Sequence, residues 1–219
     1  HGGQNSLMVG WIKNKFVYVR VLKNGSTTFQ RLCANAGWQC IDLFDPPVDL
    51  TQCVLWGHIT DPEQRHTKAL SSYLDFNPDV LQRFFQDPVI QRVLITGVFD
   101  PHTYSIHQTL GPLITLPIHW IPLDAKITKW NPYPEPQEIL DGNALTNDFF
   151  REHGIDLQVT DADIQYAKSQ DHAYIRQKIQ EVKLLYHESY EQLVKHFLEP
   201  DMLLYNNTLA KFNQKYLNQ

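Results

Sequence analysis

A strand-like segment that runs directly into a glycine-containing turn and a helix constrains this chain more than any other stretch. Residues 16–22 are apolar and β-branched, which predicts a buried strand, and the turn Lys23-Asn24-Gly25-Ser26-Thr27 follows at once. Glycine permits a tight turn there, and the first amides of the next helix would point at a bound anion. Lys23 adds a positive charge, and the hydroxyls that follow add further donors. We therefore expect an anion-binding loop.

Composition excludes several classes of protein. With 219 residues and 42% apolar content, the chain can bury a globular core. Its net charge of −5 argues against a nucleic-acid partner, and no apolar run reaches the roughly 20 residues of a membrane span. We expect a cytoplasmic protein without a membrane segment. Residues 1–7 lack the apolar core of a signal peptide and resemble an expression-tag remnant, which makes Met8 the expected native start.

Cysteine and histidine usage predicts neither disulfides nor a metal site. The three cysteines are sparse and form no C-x-x-C pair: Cys33, Cys40 and Cys53. We interpret them as small buried side chains in a reducing compartment. The ten histidines contain no H-E-x-x-H spacing, so no metal is expected.

Strand-like and helix-like segments alternate along the first half of the chain. The pattern predicts strands at residues 16–22, 38–44, 52–59, 89–98 and 116–123. It predicts helices after the turn, after Asp61 as an N-cap, and at residues 78–86. The alternation predicts an α/β fold with a mostly parallel central sheet and flanking helices.

The second half of the chain has a different character. Residues 131–136 are rich in proline and predict a rigid, extended connector. An apolar stripe over residues 175–197 recurs every three or four residues and predicts one long helix. We expect a single domain over residues 8–219, with an α/β core at 14–125 and a mostly helical C-terminal part at 126–219.

The order of residues in the turn indicates which anion it binds. Lys23 precedes Gly25, so the triphosphate-binding pattern G-x-x-x-x-G-K-[ST] is not present, and neither is G-x-G-x-x-G. The order Lys-x-Gly-Ser-Thr after a strand resembles the 5′-phosphosulfate loop of sulfotransferases that use 3′-phosphoadenosine 5′-phosphosulfate (PAPS), especially the carbohydrate type. Leu22 stands where that family usually has proline.

A second segment resembles the same family's 3′-phosphate signature, Arg-x-Pro-x-x-Arg followed by a serine. The segment Asp61-Pro62-Glu63-Gln64-Arg65 matches it in part, but Thr60 replaces the first arginine and Lys68 occupies the serine position. Arg65, Lys68 and Ser72 would share one helical face, so Lys68 could supply the charge that Thr60 lacks. Residues 100–108 and 121–124 resemble, more weakly, later segments of carbohydrate sulfotransferases.

The resemblance implies a P-loop-like sulfotransferase fold in which residues 14–125 bind the donor. It implies transfer of the sulfuryl group from PAPS to a hydroxyl of a carbohydrate or small molecule, without a metal. The implied donor-binding residues are Lys23, Asn24, Gly25, Ser26, Thr27, Thr28, Arg65, Lys68 and Ser72. Lys23 would neutralise charge on the leaving oxygen of 3′-phosphoadenosine 5′-phosphate.

Three residues are candidates for the general base that a hydroxyl acceptor requires, and the sequence does not rank them. Asp45 follows the second predicted strand, where related folds place a base, whereas His58 and His102 have the better unperturbed pKa. Two other functions stay open. One is a nucleotide kinase or phosphotransferase of P-loop-like fold, and the other is a non-catalytic module that binds a nucleotide or glycan.

Overall fold

The computed structural model of the protein describes residues 8–97, 101–168 and 172–217. The expected tag remnant at residues 1–7 lies outside the described residues, as do Val98 and Asp100. The described chain is an α/β protein with a five-stranded mixed sheet, a two-stranded hairpin and a long C-terminal helix. The predicted α/β class is confirmed at this level.

The five-stranded sheet is mixed, which corrects the prediction of a mostly parallel one. Its strands are β1 (Val9–Lys13), β2 (Phe16–Val19), β3 (Gln39–Asp42), β4 (Val54–Ile59) and β5 (Ile118–Pro122). They lie in the order β3-β1-β2-β4-β5. Strand β4 pairs in parallel with β2 and β5, whereas β1 is antiparallel to both β2 and β3.

The antiparallel half of the sheet follows from β1, a strand that the sequence analysis does not predict. A two-residue turn at Asn14 and Lys15 joins β1 to β2, and Asn14 adopts a φ of 55°. Such a turn reverses the chain directly, so the two strands must run antiparallel. Strand β1 therefore separates β2 from β3.

All three helices that the sequence predicts in the first half of the chain are present, together with two that it does not predict. They are α1 (Ser26–Asn35), α2 (Pro62–Phe76), α3 (Pro78–Gln86), α4 (Pro88–Thr96) and the short α5 (Ile106–Leu110). Helices α1, α2 and α3 are the predicted ones. The Asp61 carboxylate caps α2 by accepting from the amide of Glu63 at 2.9 Å, as the sequence predicts.

Helix α4 occupies the segment in which a strand was expected at residues 89–98, so that prediction is wrong. The Asp87 carboxylate accepts from the Val89 amide at 2.9 Å and starts the helix. Leu94 and Ile95 are buried while Val89 is exposed. A capped start and one-sided burial outweigh the strand preference of the β-branched residues.

The proline-rich segment 131–136, predicted as an extended connector, joins the two strands of a hairpin. Strands β6 (Lys126–Lys129) and β7 (Glu138–Asp141) form an antiparallel hairpin on either side of it. The following helices are α6 (Gly142–His153), α7 (Asp161–Lys168), α8 (Ala173–Leu185), α9 (His187–Leu193) and α10 (Glu199–Leu217).

The predicted single helix through residues 175–197 is divided. The chain leaves helical geometry at Tyr186, where ψ is 44°, and a π-helical turn at Val194–Leu198 leads into α10. The apolar stripe is nevertheless buried as expected at Ile175, Ile179 and Leu193. It packs with Leu70 of α2 in a cluster that joins the helices to one another.

Both faces of the five-stranded sheet are covered. Side chains of one strand that point to opposite faces are buried in two different clusters. Trp56 of β4 packs in the cluster that contains Phe29 of α1 and Phe150 of α6. Leu55 and Ile59 of the same strand belong to a second cluster on the other face. In the described part of the chain, the length and apolar character that a membrane-crossing helix needs do not occur together in any helix.

Candidate functional site

A cavity of about 430 Å³ opens where β2 and β4 end and where α1 and α2 begin. Residues of α6, of α7 and of the start of α8 complete its wall. The residues that line it are Lys23, Gly25, Ser26, Thr27, Thr28, Phe29, Thr60, Lys68, Ser71, Ser72, Leu123, Asn143, Val159, Asp163, Ile164, Tyr166, His172 and Arg176. Seven of the nine predicted donor-binding residues belong to this set.

The loop between β2 and α1 is held in an unusual backbone conformation. Lys23 has a φ of 64° and Gly25 a φ of 75°, both in the left-handed region. For a non-glycine residue such as Lys23 this conformation is strained, and strain of this kind concentrates at functional sites. A Cβ atom at position 25 would lie 2.6 Å from Leu123 Cδ2, the end of a side chain that would have to move, so the left-handed φ is the stronger reason for glycine there.

Asn24 does not line the cavity, but its side chain anchors the loop to the residue that follows β4. Its side chain is buried, and its Oδ1 accepts from the Thr60 hydroxyl at 2.5 Å. Thr60 is the residue at the expected arginine position of the second signature. The structure thus gives Thr60 a partner in the loop, and it brings the two resembling segments into direct contact.

The N-terminus of α1 presents donors to the cavity. Its N-cap residue is Gly25, which offers no side chain to accept from the first helical amides, and the first turn contains no acidic residue. The hydroxyl-bearing residues Ser26, Thr27 and Thr28 all line the cavity. Unpaired first-turn amides and the helix dipole together favour an anion at this position.

Basic side chains surround this helix end. Lys23 Nζ donates to Ser72 Oγ at 2.5 Å, and Lys68 lies one turn before Ser72 on the same helix. Arg176, in the first turn of α8, lines the opposite wall. Asp163 is the one carboxylate among the described lining residues, so three basic groups face one acidic group.

Arg65 is placed away from the cavity, contrary to the predicted shared face with Lys68 and Ser72. Its guanidinium is buried, donating from Nε to the Leu22 carbonyl at 2.9 Å and from Nη1 to the Tyr104 carbonyl at 2.5 Å. Burial lowers the pKa of Arg65 to about 10, and nearby Asp201 opposes this shift. The Arg65 side chain therefore anchors the backbone at Leu22, just before the loop, and does not line the cavity.

None of the three predicted bases lines the cavity. His58 is 1% exposed and stacks on Phe29 at a centroid distance of 3.9 Å. Burial lowers its pKa to about 3, which keeps the ring neutral. Asp45 is exposed beyond β3, an edge strand that β1 separates from β2, and His102 lies in the 3₁₀ turn Pro101–Thr103 beside α2.

The tautomer of His58 follows from its partner. The Thr146 hydroxyl donates to the Gly142 carbonyl at 2.7 Å, so its oxygen can only accept from His58 Nε2 at 2.9 Å. The proton of the neutral ring therefore resides on Nε2. His58 is a packed part of the core and is not available to accept a proton from a ligand in the cavity.

The sequence analysis missed the residues that the C-terminal helices bring to the cavity. Asn143 comes from the start of α6, Asp163 and Tyr166 from α7, and His172 and Arg176 from the start of α8. His172 Nε2 lies 3.7 Å from Asp75 Oδ2 of α2. The spacing of His172 and Arg176 places both on one helix face. The sequence does not show that this face lines the cavity, because that depends on the packing of α8 against α2.

The described residues contain no group of three or more His, Cys, Asp or Glu side chains positioned to hold a metal ion. Comparisons with protein-family models, with curated proteins and with solved structures gave no match.

Proposed function

We propose that this chain is a sulfotransferase of P-loop-like fold, which transfers the sulfuryl group of PAPS to a hydroxyl of a carbohydrate or small molecule. The observation that carries the proposal is the uncapped N-terminus of α1, which opens into the cavity beside Lys23. Helix amides, hydroxyls and a lysine are the groups that a 5′-phosphosulfate needs. The order of these groups along the chain is also what resembles the sulfotransferase loop.

The two ends of the donor would be held by different parts of the wall. The amides of Ser26 to Thr28 would bind the 5′-phosphosulfate, and Lys23 would neutralise the charge that grows on the leaving oxygen. Lys68 and Ser72 of α2 would bind the 3′-phosphate, with Arg176 supplying a second positive charge. This arrangement assigns no ligand contact to Arg65, because its guanidinium is buried and is not part of the cavity lining.

His172 is the residue we propose as the general base. No other histidine is among the described residues that line the cavity, and Asp75 Oδ2 lies 3.7 Å from its Nε2. A hydroxyl acceptor gives up its proton as the sulfuryl group arrives, so a base within reach of the cavity assists transfer. Asp45, His58 and His102 are not proposed for this role, because they do not line the cavity.

A non-catalytic module that binds the same nucleotide is a second candidate. The observation that favours it is that none of the three bases predicted from the sequence lines the cavity. The cavity therefore offers several residues that could bind the nucleotide but few that could take part in catalysis. Such a module would bind 3′-phosphoadenosine 5′-phosphate and would not transfer a sulfuryl group to any acceptor.

A thermal-shift measurement followed by a transfer assay tests the proposal. A ligand at 100 times its dissociation constant stabilises the folded state by about 2.7 kcal/mol. We expect 3′-phosphoadenosine 5′-phosphate to raise the melting temperature, and ATP with magnesium to leave it nearly unchanged. Transfer of labelled sulfuryl groups from PAPS to a panel of sugars and phenols then separates an enzyme from a binding module. Stabilisation by ATP with magnesium alone would contradict both candidates.

A further inference from the structure

A second cavity, of about 300 Å³, lies between α2, α8 and α9 and encloses a buried lysine. Lys183 of α8 is 7% exposed, and its side chain contributes to the wall of this cavity. The cavity shares none of its described lining residues with the site around Lys23. A cavity of this volume is large enough for a small molecule.

The amine of Lys183 has two hydrogen-bond partners, and both can only accept from it. Its Nζ donates to Thr67 Oγ1 at 2.8 Å and to the Tyr190 hydroxyl oxygen at 3.4 Å. The Thr67 hydroxyl donates its own proton to the Glu63 carbonyl, and the Tyr190 hydroxyl donates to Glu63 Oε1 at 3.1 Å. A neutral amine has two N–H donors, so these partners use both and leave its lone pair unpaired.

Burial favours the neutral form of this amine. It lowers the pKa of Lys183 to about 7, against the opposing influence of Glu63 and Asp61. Carboxylate neighbours are not close enough to cancel burial, since no ion pair of Lys183 occurs among the described residues. A lysine of this kind is the type that enzymes use for Schiff-base chemistry.

The charges around the amine decide which adduct it would form. The titratable groups that face it from neighbouring elements are Asp61, Glu63, His66, His187, Tyr190 and Glu191. Three of these six groups are carboxylates, and the Tyr190 ring lies 4.4 Å from Nζ. Both features stabilise a cation and oppose an anion. A cationic iminium is therefore favoured over an anionic adduct such as a carbamate.

We propose that Lys183 is a reactive amine that condenses with a small aldehyde or ketone entering this second cavity. The lone pair of Nζ attacks the carbonyl carbon and forms a C–N bond, and a proton moves from nitrogen to the former carbonyl oxygen. That hydroxyl takes a second proton and leaves as water, which gives the iminium. Loss of the remaining N–H proton yields the imine, so amine and aldehyde give imine and one water.

Reductive trapping tests this proposal on the whole chain. The protein is incubated with propanal and cyanoborohydride at pH 7, and propylation of each lysine is followed by peptide mass spectrometry. We expect Lys183 to be labelled about tenfold faster than Lys195, an exposed lysine on the π-helical turn. Labelling of Lys183 at or below the rate of Lys195 would overturn the proposal.

Two variants test the assignment of the fast labelling to Lys183 in independent ways. Lys183→Met removes the amine, and the fast phase of labelling should disappear while the slower surface labelling continues. Glu63→Gln keeps the amine but removes a charge that raises its pKa, so the pH of half-maximal labelling should fall. A fast phase that persists in Lys183→Met, or an unmoved midpoint in Glu63→Gln, would count against Lys183 as the reactive group.

Discussion

Lys23 combines a strained backbone with a side chain directed along the cavity wall. Its left-handed φ and the 2.5 Å contact of Nζ with Ser72 hold the ammonium near the helix end. Because the loop is anchored by Asn24 and by Arg65, the position of this charge depends little on the ligand. A preorganised charge is what stabilisation of a developing negative charge requires.

Replacing Lys23 with alanine tests that role. If the chain is the proposed sulfotransferase, Lys23→Ala should lower the turnover of sulfuryl transfer by on the order of 10²–10³, because the ammonium would act on charge that develops during transfer. The melting temperature should stay close to that of the parent protein. Lys195→Ala, which removes an exposed charge, serves as the control. Turnover near the parent value in Lys23→Ala would contradict the mechanism.

Lys68 and Arg65 are three positions apart on α2 but have different surroundings, which gives a paired prediction. Lys68→Ala should weaken binding of 3′-phosphoadenosine 5′-phosphate about tenfold, measured by calorimetry, with little change in unfolding free energy. Arg65→Ala should instead destabilise the protein by about 2–4 kcal/mol in urea unfolding, because the carbonyls of Leu22 and Tyr104 lose their donors. If Lys68→Ala destabilised the protein as much as Arg65→Ala does, the assignment of Lys68 to the ligand and of Arg65 to the fold would be contradicted.

At the level of elements, a cap or a turn residue identified two helix starts correctly, whereas two comparable signals did not lead to the right prediction. Asp61 marks the start of α2, and Gly25 the start of α1, as the sequence predicts. The segment that became α4 has the same kind of signal in Asp87, but its β-branched residues favoured a strand. The short spacing between β1 and β2 was overlooked, although a two-residue turn with Asn14 is a recognisable hairpin signal.

Helix α10 is attached to the sheet domain by a buried carboxylate. Asp201 is fully buried, and it accepts from the amides of Ile106 and His107 at 2.6 and 3.2 Å. It also contacts His107 Nδ1 at 2.5 Å. These contacts cap α5 from a distant part of the chain. One side chain therefore connects two elements that sequence patterns describe separately.

Asp201→Asn should loosen this attachment. The amide keeps one acceptor oxygen but loses the charge that strengthens all three contacts, so we expect a loss of about 2–3 kcal/mol in urea unfolding. Asp156→Asn removes an exposed carboxylate and should change stability by less than about 0.5 kcal/mol. If both variants unfold at the same urea concentration, the attachment is weaker than its geometry suggests.

For the molecule as a whole, buried histidines couple folding to pH. Burial lowers the pKa of His58 to about 3 and that of His66 well below its usual value. The unfolded chain therefore binds more protons than the folded chain below about pH 6.5, where exposed histidine titrates. Stability should fall as the pH falls through this range, by about 1.4 kcal/mol per pH unit for each such histidine.

His58→Phe separates this contribution from that of other groups. The ring still packs against Phe29, and the Thr146 hydroxyl keeps its acceptor in Gly142. We expect the slope of unfolding free energy against pH, measured between pH 6 and 4, to be shallower than in the parent by about 1.4 kcal/mol per unit. An unchanged slope would mean that His58 is not the group that takes up the proton.

The candidate site was predictable only in the part that is local in sequence. The loop from Lys23 to Thr28 and the pair Lys68 and Ser72 follow from short motifs, and the structure brings them to one cavity. His172 and Arg176 reach the same cavity only because α8 packs against α2. No spacing along the chain encodes that docking, since it depends on which apolar faces meet.

The register of the sheet also determines the order in which the molecule can assemble. Strand β1 finds its partner β2 across a two-residue turn, whereas Phe16 pairs with Val54, and Leu55 pairs with Ile118. Pairings between distant residues form slowly, and they wait for synthesis to deliver the later strand. A nascent chain can thus form its hairpin early, while the cavity wall that contains Arg176 is added only after all five strands of the sheet have been synthesised. The three basic side chains of the cavity therefore come together only once α8 has packed against α2.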